Sequence, residues 1–407
     1  MSKHKSRNGV DEFARFLFEN SLFLIGGSLL ALVWANRDLE SYHQFLHTSL
    51  IPGSKGEGYS VLHVVNDGLM ALFFAMAAKE VWESLLPGGA LSNWKTAATP
   101  LMATLGGVLV PAGVYITGCW LTGTWDSLGR GWAIPCATDI AFSYLVARIV
   151  FGAGHPAIAF LLLLAIADDA AGLLILAVGY PQQVLQPQWL LGTVVAVVLG
   201  IVLRRSGIQN FWWYLIGPGI LSWLSFHYAG IHAALGLVPI IPTMPHAGSD
   251  EGLFANSEIA NADTLNQFAR WWKNPVELIL GLFGLVNAGV VMSNTGTATW
   301  LVLAGLMIGK PVGIATFTFL GEKLFRLQLP TGMTYRHIVT LGIIASIGFT
   351  VALFVSTAAF GKPGPIQDSA KMGALASFAA AIIVIPVGRL LRVSTPSCAA
   401  QESIESR

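Results

Sequence analysis

Charge is scarce in this chain. Only 11% of its 407 residues are Asp, Glu, Lys or Arg, against roughly a quarter in soluble domains. The net charge of +1 argues against a nucleic-acid partner. Cysteine is rarer still. Cys119, Cys136 and Cys398 provide no disulfide framework and read as small apolar packing or tail residues. No cleavable signal peptide is evident, because the first apolar run starts late and is too long for one.

Apolar residues, 54% of the chain, take the place of charge. They come in runs near twenty long, separated by short polar breaks, which is the pattern of helices crossing a bilayer. The 44 glycines and 19 prolines fit this class, since packed membrane helices tolerate both. The expectation is an all-α polytopic membrane protein forming a single integral-membrane domain over 1–407, not several soluble domains. Twelve spans are expected at about 16–36, 62–86, 97–121, 131–150, 157–180, 188–204, 211–226, 229–243, 273–293, 299–320, 335–360 and 369–391.

Basic residues set the orientation. Lys3, Lys5, Arg7 and Arg15 precede the first span, and Arg389 and Arg392 close the last, so both ends read as cytoplasmic. With an even span count, the inside loops collect Lys95, Arg148, Arg204, Arg205, Arg270, Lys273, Lys323, Arg326 and Arg336. The outside loops hold Arg37, Lys55, Arg130, Lys362 and Lys371. Residues 1–15 and 393–407 then form cytoplasmic tails, and 244–271 a polar cytoplasmic linker with room for an amphipathic helix near its end. The outside loop 37–60, with Pro52-Gly53 and Gly56-Glu57-Gly58, has the composition of a small hairpin.

Against that background Asp168 and Asp169 stand out. They fall midway along the otherwise uncharged run from Ala157 to Val178. A carboxylate at that depth is costly to keep ionised without a partner, and its usual role is a path for protons or cations. Three further features share this depth. Pro135 interrupts the fourth span, and Thr138 and Asp139 after it suit the start of a new helix. Lys310 lies in Ile308-Gly309-Lys310-Pro311 of the tenth span. Ser346-Ile347-Gly348-Phe349-Thr350 makes a glycine-containing polar patch in the eleventh.

Broken helices expose half-helix ends of about half a unit charge each, positive at N-termini and negative at C-termini. Asp139 would offset the former and Lys310 the latter. Spans four and eleven hold corresponding places in the groups 3–5 and 10–12, and paired interrupted spans point to a transporter site between inverted repeats. A single buried, protonated carboxyl bonded to a carbonyl is the bland alternative. Four ionisable residues at one depth on three spans argue against it.

These residues together resemble the bacterial sodium/proton antiporter family NhaA. The resemblance rests on Asn66-Asp67-Gly68-Leu69-Met70-Ala71-Leu72-Phe73-Phe74, Trp132 through Phe142, Ala167-Asp168-Asp169, Gly230-Ile231-His232-Ala233, Asn287-Ala288-Gly289-Val290, Ile308-Gly309-Lys310-Pro311 and Ile347-Gly348-Phe349-Thr350, in order across almost the whole chain. It implies twelve spans with inverted repeats, broken fourth and eleventh helices crossing at mid-membrane, and a homodimer in the bacterial inner membrane. It implies electrogenic exchange of sodium, and with it lithium, for protons, without a cofactor. Asp169 would be the principal carrier, and Asp168 its neighbour, paired with Lys310 in one protonation state. Asp139, Thr138 and Gly348 would line the crossing. Asp67 and His232 would be accessory, and Glu80 would sit at the pH-sensing cytoplasmic funnel.

The funnel departs from the family. Where a basic pair and a second acid usually follow, this chain has Lys79-Glu80-Val81-Trp82-Glu83-Ser84. The histidine-rich entrance to the ninth span is replaced by Arg270-Trp271-Trp272-Lys273-Asn274-Pro275, and Glu277 is an added acid read as a rim residue. Two other functions could use the same residues. An intramembrane enzyme using paired aspartates is disfavoured, because Asp168-Asp169-Ala170-Ala171-Gly172 lacks follow-on acids. A sodium-coupled solute symporter of related architecture is the nearer alternative.

Overall fold

A computed structural model describes residues 22–51, 59–152, 154–246, 263–361 and 363–393. Among them the chain is almost wholly helical. Its one small sheet pairs Ser49–Ile51 with Tyr59–Ser60 antiparallel, the hairpin that the glycines and proline of this loop suggest.

Six described helices are long and apolar enough to cross a membrane: Val61–Leu85, Ala97–Leu121, Pro156–Gly179, Pro187–Arg205, Thr297–Phe325 and Pro365–Leu391. Two further pairs qualify together but bend at a short break. They are Trp125–Cys136 with Ile140–Phe151, at 51°, and Tyr335–Ala345 with Phe349–Phe360, at 50°. The remaining apolar segments differ from uniform spans. Leu22–Arg37 is short, and the earlier part of its expected run lies outside the described residues. Residues 229–243 form no single helix. Gly230 takes the left-handed conformation (φ 81°) that ends helix Ile220–Ala229, and Pro239 and Pro242 then permit only the short 3-10 turns Ala233–Leu235 and Val238–Thr243. Helix Thr264–Asn287 starts inside the stretch expected as linker, capped by Asp263 Oδ1, which accepts from Asn266 N at 2.7 Å.

The chain divides into two compact units. One holds residues 1–93, 169–299 and 352–372, and the other 94–168, 300–351 and 373–407. In the first, helix Leu22–Arg37 packs on Thr264–Asn287 through facing glycines. A Cβ on Gly27 would stand 2.0 Å from the Gly281 carbonyl oxygen, so only glycine permits this approach. A second cluster there gathers Phe211, Tyr214, Ile240, Ile241, Leu265 and Phe268. In the other unit, helix Trp94–Leu121 packs on Lys310–Phe325 in the same way, and a Cβ on Gly106 would stand 2.1 Å from the Gly313 carbonyl oxygen. Its core gathers Phe151, Phe160, Leu161, Leu164, Ile314, Ile338, Leu341 and Val384. Facing glycines thus seat one tight helix pair in each unit.

Candidate functional site

Helix geometry brings the mid-chain charges of the second unit together. The turn Gly305–Gly309 is π-helical and ends at Lys310, which begins the next α-helix. Such insertions re-aim the residues that follow. The Lys310 side chain is fully buried, and its Nζ lies 3.0 Å from Asp168 Oδ2. It also donates to the Cys136 carbonyl at 2.6 Å. That carbonyl is at the C-terminal end of the 3-10 helix Gly129–Cys136, where backbone dipoles leave negative charge. The ammonium therefore meets two negative groups in a site without water-exposed surface, where the pairing is strong and its disruption costly.

Asp168 has a second donor. The Thr138 hydroxyl donates to its Oδ2 at 2.6 Å and lies 3.2 Å from the Ala345 carbonyl. Asp168 Oδ1 is buried and has no hydrogen-bond partner among the described residues. One oxygen of this carboxylate is thus saturated while the other is not.

Asp139 works on backbone ends. As N-cap of helix Ile140–Phe151 its Oδ1 accepts from Phe142 N at 3.4 Å. Its Oδ2 accepts from Thr350 N at 3.2 Å and from the Thr350 hydroxyl, at the start of helix Phe349–Phe360. One carboxylate therefore faces the positive N-terminal ends of two half-helices. The breaks themselves are laced together. Asp139 N donates to the Ile347 carbonyl at 2.7 Å, and the Ser143 hydroxyl to that of Ile344 at 3.2 Å. Gly348 fits because it has no Cβ, which would stand 2.8 Å from both the Ala137 carbonyl oxygen and Leu306 Cδ2. Its amide lies 3.3 Å from the Ser377 hydroxyl, which can accept it. Thr350, part of the polar patch at 346–350, thus becomes a partner of Asp139. The carbonyls of Ala345 and Ile347 are partners that sequence reading missed.

Asp169 follows Asp168 on the same helix and is half-buried. It belongs to the first unit, as do Asp67, His232 and Glu80. Asp67 sits in the π-helical turn Val64–Leu69. Its Oδ1 lies 3.4 Å from Nδ1 of the buried His232, and its backbone carbonyl accepts from Trp223 Nε1 at 2.8 Å. The His232 ring lies 4.6 Å from that of Phe354. Beside Asp67, Asn66 and Asn287 exchange amide hydrogen bonds at 2.7 and 3.2 Å, and Thr357 donates to Asn287 at 3.2 Å.

Glu80 is partly exposed and does not stand alone. Lys79 Nζ lies 3.4 Å from Glu80 Oε1 and 2.5 Å from Glu83 Oε2. The lysine that precedes the acid thus brings positive charge to it. Trp82 packs edge-on against His246 with ring centroids 6.0 Å apart. Glu277 is half-buried on helix Thr264–Asn287.

The profile of the family described as Na+/H+ antiporter 1 matches residues 12–387. A protein from Jannaschia sp. (strain CCS1), named Na(+)/H(+) antiporter NhaA, is 51% identical over 411 residues, covering 93% of this chain and 97% of its own. A protein of the same name from Desulfitobacterium hafniense (strain DSM 10664 / DCB-2) is 49% identical, with 93% and 96% covered. Another from Geobacter sulfurreducens (strain ATCC 51573 / DSM 12127 / PCA) is 45% identical, with 93% and 97% covered. Among solved structures, the fold is like that of the sodium proton antiporter MjNhaP1 from Methanocaldococcus jannaschii. That match has a TM-score of 0.50 at 12% identity, over 94% of this chain and 97% of that one.

Proposed function

The chain belongs to the Na+/H+ antiporter 1 family, and on that premise we propose that it exchanges sodium for protons, each cation in turn taking the carboxylates of Asp168 and Asp169. The observation that carries this reading is the Asp168 carboxylate, buried, paired with Lys310 through one oxygen and unsaturated at the other. A sodium ion is a hard cation that takes oxygen ligands, and a carboxylate offers them only when deprotonated. Proton and sodium therefore exclude one another at the same group. Alternating exposure of that group to the two sides carries sodium one way and protons the other.

In this scheme Asp169 is the principal carrier, and Asp168 alternates between Lys310 and the passing cation. Lys310 and Asp139 hold the half-helix ends in place, Thr138 orients Asp168, and Gly348 lets the breaks approach. Asp67, His232 and Glu80 act outside the carrier pair. Two protons given up for one sodium, or one from a carboxyl and one from Lys310 as it loses its partner, make the exchange electrogenic. The membrane potential then drives sodium extrusion, each charge gaining about 2.3 kcal/mol per 100 mV. Lithium, of the same charge and oxygen preference, is a further substrate.

The finer architecture belongs to the same proposal. We take the two bent pairs as single broken spans and the shorter apolar segments as spans completed by their neighbours, twelve in all, in inverted repeats. Both termini are cytoplasmic, and the protein is a homodimer in the inner membrane. Everted vesicles carrying a pH gradient test the function. Sodium or lithium addition should collapse the gradient, and Asp169→Asn should abolish that response; a variant as active as wild type would overturn the assignment. Sodium uptake that needed a co-solute would instead indicate symport.

A further inference from the structure

Two histidines outside the ion site meet at the starts of two helices of the second unit. The ring centroids of His155 and His337 are 4.9 Å apart, with planes 31° apart. His155 stacks on Phe151 at 5.4 Å and 21°, and His337 lies 6.0 Å from the same ring. Each imidazole serves as a helix cap. His155 immediately precedes helix Pro156–Gly179, and its Nδ1 accepts from Ala157 N at 3.1 Å. His337 is the third residue of helix Tyr335–Ala345, and its Nδ1 accepts from Thr334 N at 3.0 Å, completing a reciprocal capping box.

A backbone N–H cannot accept, so in both rings Nδ1 must carry the lone pair and the proton must sit on Nε2. Both side chains are half-buried, so water can deliver a second proton. A proton on Nδ1 would face the N–H it had capped; at His337 it can turn to the Thr334 hydroxyl, 2.9 Å away, which still leaves the Thr334 amide without its acceptor. Two imidazolium rings at this separation would also repel one another, each beside the positive end of a helix. Burial and the facing His337 hold His155 below its ordinary pKa, in keeping with a neutral pair.

The acid that these surroundings bring, Glu322, is already engaged by the Tyr335 hydroxyl. Helix Ile140–Phe151 brings Arg148, whose guanidinium lies over the Tyr144 ring, and helix Ala379–Leu391 brings Arg389. Arg336 is the neighbour of His337. From helix Lys310–Phe325 come Lys323, whose Nζ lies over the Phe319 ring, and Glu322, which accepts from the Tyr335 hydroxyl. The other described acids of this unit are Asp126, on the short helix Trp125–Leu128, and Asp139 and Asp168, which the site already engages. Metal capture by the two rings is disfavoured, because the free nitrogen of each carries the proton.

We propose that His155 and His337 form an acid-released latch that caps, when neutral, the two helices leading to the site and lets go of both when protonated. One of those helices carries Asp168. The other ends at Ala345, whose carbonyl faces the Thr138 hydroxyl. Loosening their first turns removes the support that fixes Asp168 against its partners, so exchange falls as this face of the protein is acidified.

The test uses the full-length protein and the variant His155→Asn/His337→Gln, whose side chains still accept a hydrogen bond but do not titrate. Amide hydrogen exchange is followed over residues 155–160 and 334–340 between about pH 7.5 and about pH 5.5, corrected for intrinsic rates. Protection of both segments should fall about threefold or more in the wild type and stay constant in the variant. Equal behaviour of the two proteins overturns the latch. In proteoliposomes the acid-side half-point of sodium–proton exchange should move down by about half a pH unit or more in the variant, and an unmoved half-point also overturns it. The transport measurement presupposes the exchange activity; the protection measurement does not. A wild type without exchange but with acid-sensitive protection would therefore sink the functional reading and leave the latch standing.

Discussion

The ammonium of Lys310 lies 3.0 Å from Asp168 Oδ2, and neither side chain has any solvent-exposed surface. Removing one partner of such a pair strands the other charge in a low dielectric, which costs about 3–5 kcal/mol, whereas removing both costs much less. Lys310→Gln and Asp168→Asn should each lower the melting temperature of the detergent-purified protein more than the double variant does. The coupling energy from the double-mutant cycle should be about 2 kcal/mol or more. Additive effects would show that the pair contributes nothing as a pair.

Asp139 faces two half-helix starts, so its truncation should be felt twice. Asp139→Ala removes the acceptor for Phe142 N and for Thr350 N, at about 1 kcal/mol per cap. The expected loss is about 2 kcal/mol, read from thermal unfolding. Asp139→Asn keeps an acceptor but not the charge and should lie between the two. Equal melting of Ala and Asn variants would mean that charge and not capping is what this position supplies.

Thr138→Val keeps the shape of the side chain and removes the hydroxyl that donates to Asp168 at 2.6 Å. A hydrogen bond to a charged group contributes about 1.5–3 kcal/mol. The half-saturating sodium concentration in everted vesicles should change by about tenfold, while the amount of folded protein in the membrane stays at the wild-type level. An unchanged sodium dependence would remove Thr138 from the site.

Gly348 tests the packing of the two breaks. An added methyl would stand 2.8 Å from both the Ala137 carbonyl oxygen and Leu306 Cδ2, inside van der Waals contact. Gly348→Ala should cost about 1–3 kcal/mol by overpacking and should slow exchange, and Gly348→Val should do more of both. Leu306→Ala should cost less in the Gly348→Ala background than in the wild type, because it removes one of the two contacts. Equal costs in the two backgrounds would place the whole strain on the Ala137 carbonyl.

Much of the fold was legible because membrane helices declare themselves by composition. The runs around 62–86, 97–121, 157–180, 188–204 and 299–320 correspond to described helices long enough to cross, since their apolar length outweighs the few charges they carry. The interruption before Asp139 was legible from Pro135, which cannot continue a helix. That at 346–348 was less so, because Ser346 and Ile347 do not break helices by themselves. There the Ile347 carbonyl accepts from Asp139 N, and the Ala345 carbonyl lies 3.2 Å from the Thr138 hydroxyl, both at the break of the other bent pair. Within residues 229–243 a left-handed glycine and two prolines cut the apolar stretch into turns, a detail that apolar composition does not reveal. The His155–His337 contact left no trace in either flanking stretch.

By itself the sequence determined which residues leave water and at what depth the few charges stand, because hydrophobicity and helical rise are properties of consecutive residues. It determined family membership for the same reason, through short motifs read in order. Only the tertiary structure decided how closely Lys310 approaches Asp168, which two helix ends Asp139 meets, that Lys79 bridges Glu80 and Glu83, and that two histidines share one stack. Those pairings depend on where separate helices come to rest against one another. Nearly featureless apolar surfaces do not specify that; facing glycines and a handful of buried polar atoms do.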